Sequence, residues 1–431
     1  MIESYGAPFL VLGVLVLVHE FGHFWVAKRS GVRVLKFSIG MGPRLVGFQR
    51  GDTEYLISWV PFGGYVKMAG EETGGGTPGA TDEFGTKRPA VRAAILAAGP
   101  AINYLFAIVL YTGLFAVHGL DTIATRVVGQ VEAGSEAERA GFLAGDEVVA
   151  VGGATVKDWG DFAVKLGDAK APAVAVSVMR GGVAHDLDVD AGRLRTGGGL
   201  TPFSPAEIGE VQRGGPAWKA GLRRGDRIVS VAGKPVTMWT EVAGIVHTSI
   251  DVPLEIVWER DGKTLAATVT PEKGQVPVSD TETKDVGMIR IGQKWDRERI
   301  PPWTALELGA KRTWDITAEV FGFLGSIFRR RVSIDMLGGP IRIGQIAGES
   351  ARWGAFSLVN LIALLSVNLA VLNLLPIPIL DGGHLFMILV EKLIRRPLSL
   401  RQKIVYQQIG LVVIILLMVT VTVVDVRRLF R

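Results

Sequence analysis

The chain has 431 residues, 47 Lys plus Arg against 42 Asp plus Glu, no cysteine, and 48% hydrophobic against 21% charged residues. So apolar a composition is unusual for one soluble protein, and the basic residues sit beside apolar segments rather than in one patch, which argues against nucleic acid as a partner. Without cysteine, disulfides and thiolate ligands are excluded, so any metal must be held by His, Asp or Glu.

Residues 1–33 carry an apolar run, Val11 to Ala27, interrupted by His19-Glu20-Phe21-Gly22-His23. On a helix this HExxH spacing sets two imidazoles one turn apart on one face, where both can ligate one Zn²⁺. Glu20 projects about 100° round the helix, poorly placed as a third ligand but well placed to take a proton from water at the metal. The run is long enough to span a bilayer. It has neither a basic leading region nor a small-residue cleavage site, so a retained membrane helix is expected rather than a cleaved signal peptide.

Residues 34–69 alternate like strands (Val34, Leu35, Phe37, Ile39; Leu45, Val46, Phe48; Tyr55, Leu56, Ile57, Trp59, Val60), with turns at Gly40, Gly42-Pro43, Gly51-Asp52 and Pro61-Phe62-Gly63-Gly64. Two readings stand side by side: a plain hairpin cap, or a sheet edge that an extended peptide joins as an extra strand. Residues 70–92 hold a Gly-rich linker, and 93–118 read as a second span.

The outer region repeats itself. Val128-Gly-Gln-Val131 matches Ile208-Gly-Glu-Val211, and the same offset aligns Ala140-Gly141 with Ala220-Gly221, Gly145-Asp146 with Gly225-Asp226, and Trp159 with Trp239. One repeat pair predicts tandem domains, 121–200 and 201–285, rather than a solenoid. Their shared pattern, AGxxxGDxVxxVxG, resembles the PDZ domain in circularly permuted order, which implies a groove for peptide ends or strands; a mere spacer is the plainer alternative.

Residues 286–353 contain a helical pattern from Trp303 to Phe328 whose aromatics suit a helix lying on the membrane surface, with an ordinary packing helix as the alternative. Spans three and four fall in 354–380 and 404–431. Between them, 381–403 join Asp381-Gly-Gly-His384 to a basic stretch. Lys28, Arg29 and Arg33, then Lys87, Arg88 and Arg92, then Lys392, Arg395, Arg396, Arg401 and Lys403 all fall on the cytoplasmic side if the N-terminus is outside. Arg427, Arg428 and Arg431 then run against the rule.

Two histidines leave a catalytic zinc short of its usual third protein ligand. In Asn373-Leu-Leu-Pro376-Ile-Pro378-Ile-Leu-Asp381, the prolines break the helix just before an acid. Irregular backbone at membrane depth is tolerated where it lines a cavity, and an acid there costs roughly 2.5–3.5 kcal/mol unless it meets a partner. Asp381 is therefore the stronger candidate for the third ligand, with His384 its rival and a helix N-cap the structural alternative.

HEFGH in the first span, Asp381 in NLLPIPILDGG and the paired outer repeats resemble the site-2 protease family over nearly the whole chain. Supporting stretches are Val60-Pro-Phe-Gly-Gly-Tyr-Val-Lys-Met68, Gly99-Pro-Ala-Ile-Asn103 and Leu337-Gly-Gly-Pro-Ile341. The resemblance implies a multi-pass α-helical membrane protein of four transmembrane helices, with a membrane-reentrant β-sheet and two tandem PDZ-like α+β domains. It implies Zn²⁺ on His19, His23 and Asp381, Glu20 as catalytic base, and Asn368, Asn373 and the Gly63-Gly64-Tyr65 edge as holders of an extended substrate. It further implies regulated intramembrane proteolysis in a bacterial inner membrane, with the PDZ-like tandem filtering substrates on the periplasmic side. The substrates implied are pre-trimmed single-span proteins, either anti-sigma factors of a stress response or remnant signal peptides. A membrane-anchored PDZ scaffold with a non-catalytic metal site is the rival reading, and a zinc transporter a weaker one, because inverted repeats are missing from the sequence.

Overall fold

Helices form wherever the sequence offers long runs of Leu, Val, Ile and Ala, because a helix satisfies its own backbone and needs no water to do so. The computed structural model describes residues 2–71, 80–169, 171, 173–195, 198–279, 282–329, 339–396 and 398–429. The middle of the Gly-rich linker (72–79), Arg330, Arg331, Leu337, Gly338 and Arg431 lie outside them. The chain divides into two compact units, residues 1–117 with 300–431, and residues 118–299.

The first unit holds α1 (Ile2–Arg29), β1 (Val34–Arg50), β2 (Thr53–Met68), α2 (Pro89–His118), α3 (Pro302–Phe328), α4 (Pro340–Trp353), α5 (Ala355–Leu374), α6 (Asp381–Ile394) and α7 (Leu400–Leu429). Among the described residues, four stretches are long and apolar enough to cross a membrane: Gly6–Arg29, Pro89–His118, Ala355–Leu374 and Arg401–Arg427. Many of their large apolar side chains point outward, such as Leu105 and Val109 on α2 and Leu411, Val412, Leu416 and Leu417 on α7. Such a surface suits a lipid solvent and would be a liability in water. Inside the unit, Val11 and Leu15 of α1 pack with Ala347 of α4 and Leu361 and Ile362 of α5. Ala107 and Tyr111 of α2 meet Ile316 of α3 and Val367 of α5.

The small sheet departs from a simple hairpin. Residues 36–39 of β1 are flanked twice: Ile39 pairs with Gly64 and with Ile57, Ser38 with Tyr65 and with Leu56. The expected turn at Pro61–Gly64 is a bend within β2, so both arms of that strand embrace the start of β1. Gly40 (φ +87°) and Gly63 (φ +83°) supply backbone angles that other residues rarely adopt. Residues 64–68 therefore form one edge of the sheet and lie along α1, with Val34, Val66 and Met68 buried against Ala27 and Ile95.

The second unit contains two copies of one pattern. Strands 154–155, 147–151, 173–180 and 183–190 form a four-stranded sheet in that order, and 234–235, 227–231, 254–260 and 263–269 repeat it. The two cores use equivalent positions: Val128 and Ile208, Phe142 and Leu222, Val148 and Ile228, Val176 and Ile256, Val189 and Val269. In each copy the Gly-Asp turn is fastened by a two-pronged arginine. Arg180 donates to Asp146 at 2.7 and 2.8 Å, and Arg260 to Asp226 at 2.6 and 2.7 Å. The copies diverge after their last long strand, where the first has a short helix, Ala191–Arg195, and the second a hairpin, Glu272–Ser279 with Glu282–Met288. Ile291–Gln293 then pairs with Ile208–Val211, so the second copy runs past residue 285; a three-residue edge strand after an inserted hairpin is too short to read from periodicity.

Candidate active site

HExxH lies on α1, and the face bearing His19 and His23 meets a stripe of α2 at matching spacing. Ile95, Gly99 and Asn103 recur every four residues along that stripe, one above another. The Ile95 carbonyl stands 2.8 Å from His23 Nδ1. Gly99 sits between the rings: a Cβ there would fall 2.3 Å from His23 Nε2 and 2.8 Å from His19 Cε1. The helices approach closely because this position lacks a side chain, as small residues commonly allow in apolar bundles. Asn103, fully buried, faces His19 Nδ1 through its carboxamide at 3.2 Å.

The third contributor arrives from far along the chain. α5 stops at Leu374, the segment 375–380 is irregular, and α6 begins at Asp381. Pro376 and Pro378 prevent helix continuation. Ile379, a β-branched residue, is held at φ +83°, a strained conformation that the surrounding packing must maintain. Gly382 and Gly383 let the first turn of α6 fold against this segment, since added Cβ atoms would lie 2.2 Å from the Leu375 and Ile377 carbonyl oxygens. The outcome is that Asp381 points at the α1 histidines.

His19, His23 and Asp381 form a group of possible metal ligands whose donor atoms lie within 4.8 Å of one another. His19 Nε2 and His23 Nε2 are 3.2 Å apart, and Asp381 Oδ2 is 3.1 Å from the first and 3.5 Å from the second. Donors held about 2.0–2.2 Å from a tetrahedral zinc would be spaced about 3.3–3.6 Å apart, close to what is seen. Asp381 Oδ2 is buried yet accepts no well-directed hydrogen bond. The three atoms converge on a point instead of pairing off, so this donor set fits a divalent ion. His384, the rival, is not among the three.

Glu20, on the next face of α1, lies within electrostatic reach of both histidines and Asp381. β2 closes over it: the Val66 main-chain N–H reaches the carboxylate, and a Cβ on Gly64 would be 3.4 Å from Glu20 Cγ. Gly63 and Tyr65 flank Gly64 on the same strand edge. Asn373, in the last turn of α5, puts its amide 3.3 Å from His19 Nε2. Asn368 is half-buried earlier in that helix. Sequence spacing alone does not assign the α2 stripe to the site; the signal that could have done so is the amide of Asn103 inside an apolar span, in the motif Gly99-Pro-Ala-Ile-Asn103.

Two imidazoles, a carboxylate and a neighbouring glutamate, set among helices fit for lipid, are the equipment of a membrane-embedded metal-dependent hydrolase. Residues 7–417 match Peptidase family M50. A Neisseria meningitidis protein named as a zinc metalloprotease is 36% identical over 438 residues, covering 96% of this chain and 97% of that one. The regulator of sigma-E protease RseP of Salmonella typhimurium is 36% identical over 436 residues, covering 96% of each. Among solved structures, a PDZ domain of an SdrC-like protein from Listeria monocytogenes covers 22% of this chain and 90% of its own, at 17% identity and a TM-score of 0.17, too low to weigh on the fold. The chain belongs to Peptidase family M50. It is a site-2 type zinc metalloprotease of the membrane.

Proposed function

We propose that the chain cleaves peptide bonds within transmembrane segments of single-span proteins already trimmed outside the membrane, with His19, His23 and Asp381 holding zinc and Glu20 acting as base. The convergence of three donor atoms from α1 and α6 beside Glu20, inside an apolar helix assembly, carries this reading. When bound, zinc supplies a Lewis acid that polarises the scissile carbonyl and acidifies water.

The chain's own residues do the rest. A helical substrate shields its carbonyls within its own hydrogen bonds, so it must unwind before attack. The edge at Gly63-Gly64-Tyr65 offers main-chain groups to the unwound segment, exchanging internal bonds for strand pairing. Asn373, one side chain from His19, holds that segment by its amide, and Asn368 adds a second polar contact earlier on α5. Glu20 accepts the proton of the attacking water and returns it to the leaving amine.

The two outer repeats act as PDZ-like domains on the periplasmic side of a bacterial inner membrane and hinder bulky, untrimmed ectodomains. The names of the relatives favour an anti-sigma factor among the substrates, and remnant signal peptides share the same chemistry: one short apolar span with little outside it.

The test is Glu20→Gln in a membrane-embedded reporter assay. Loss of cleavage with zinc retained supports the proposal; unchanged biological function with no cleavage to lose would support the scaffold instead.

A further inference from the structure

Both histidines must offer a bare Nε2 to a shared metal, and in a neutral imidazole that requires the proton to sit on Nδ1. For His23 this is fixed by the backbone: Nδ1–H donates to the Ile95 carbonyl at 2.8 Å, and a carbonyl can only accept. His19 has no such carbonyl. Its Nδ1 faces Asn103 at 3.2 Å, with the amide nitrogen of Asn103 nearest. The other end of that amide, Oδ1, is buried without a hydrogen-bond partner.

An amide nitrogen donating to Nδ1 would put the His19 proton on Nε2, the position a metal needs. Turning the carboxamide by half a turn brings Oδ1 to Nδ1, converts that nitrogen to a donor and leaves Nε2 bare; amide oxygen and nitrogen are close enough in size for the turn to need little space. The main chain of Asn103 is independently fastened, since Ser366 Oγ donates to its carbonyl oxygen at 2.9 Å and ties α2 to α5.

We infer that Asn103 is a positioning residue for the metal centre: its carboxamide oxygen sets the tautomer and ring orientation of His19, as the Ile95 carbonyl does for His23. α2 thus supplies the outer hydrogen bond to both imidazoles. This rests on the ligand assignment proposed above but is tested separately from catalysis.

The experiment measures zinc affinity of the full-length, detergent-solubilised protein by chelator competition, alongside its melting temperature. Asn103→Leu keeps the volume and removes the acceptor, and Asn103→Asp keeps an acceptor oxygen. Loss of an outer hydrogen bond to a ligating histidine typically costs about 10–100-fold in metal affinity, expected for N103L, whereas N103D should stay within about 3-fold of the parent by the same reasoning. If N103L does not fold, Asn103→Ala replaces it. Parent-like affinity in the non-accepting variant, or equal losses in N103L and N103D, would overturn the inference, the second because it would mean that amide shape rather than its acceptor matters. Loss of zinc in His19→Ala separates this question from the ligand assignment: if H19A binds zinc normally, the assignment fails first.

Discussion

Gly99 of α2 lies so close to His23 of α1 that a methyl group on it would come within 2.3 Å of the imidazole Nε2. The α1–α2 contact and the metal geometry are therefore one structural fact: the helices meet where the ligands are. Replacing Gly99 by Ala must push either the ring or the helix aside, and overpacking of this kind commonly costs about 1–3 kcal/mol. G99A is expected to lose zinc during purification and to melt at lower temperature. Full zinc content with parental cleavage would show that the gap between the helices is looser than described.

Asp381 and His384 are on the same turn of α6, yet only Asp381 joins the histidine pair. Asp381→Ala should purify without zinc, because two imidazoles alone leave the ion under-coordinated. His384→Ala should retain it. The reverse result by metal analysis would move the third ligand to His384.

On the function proposed above, Asn373, whose amide lies 3.3 Å from His19 Nε2, acts on substrate rather than as part of the metal's support. Asn373→Ala is expected to keep its zinc while cleavage of a membrane-embedded reporter falls about tenfold or more, the loss corresponding to one hydrogen bond of about 1.4 kcal/mol. Parallel loss of zinc and cleavage would recast Asn373 as part of the metal's support.

Asp146 contributes to the acid sensitivity of the first outer repeat. Burial alone would push its carboxyl up, but the Arg180 guanidinium and the Leu143 main-chain N–H prevail and hold it below the usual carboxylate range. A folded value below the unfolded one means stability that is fully present above the ordinary aspartate value near 3.9, roughly, and is lost as pH falls through the lower folded value. Asp146→Asn should weaken the repeat by about 1.5–3 kcal/mol at neutral pH, read as faster amide exchange in residues 147–151, with the difference shrinking in acid. Equal exchange at neutral pH would mean that the Arg180 contact contributes nothing.

Much of the molecule was legible from local pattern. HExxH states its own geometry, because a four-residue spacing on a helix fixes a shared face whatever else the chain does. The repeat was legible because equal positions, such as Val148 and Ile228, or Asp146 and Asp226, answer equal packing needs. The broken third span was legible because Pro376 and Pro378 cannot donate a backbone hydrogen bond. These are short-range constraints, and the residues that impose them are neighbours in sequence.

The sequence favoured Asp381 over His384, but its convergence on the two histidines, the place of Gly99 between two rings, and the partnership of Asn103 with His19 needed the tertiary structure. Each depends on how α2, α5 and α6 settle against α1, and contacts between residues 72 to several hundred positions apart leave no periodicity to read. The sheet shows the same division. Its alternating residues announced strands, but only the bends at Gly40 and Gly63 decided that the edge beside Glu20 is 64–68. Sequence by itself determined which groups could do metal chemistry in lipid; packing of distant helices decided which of them converge.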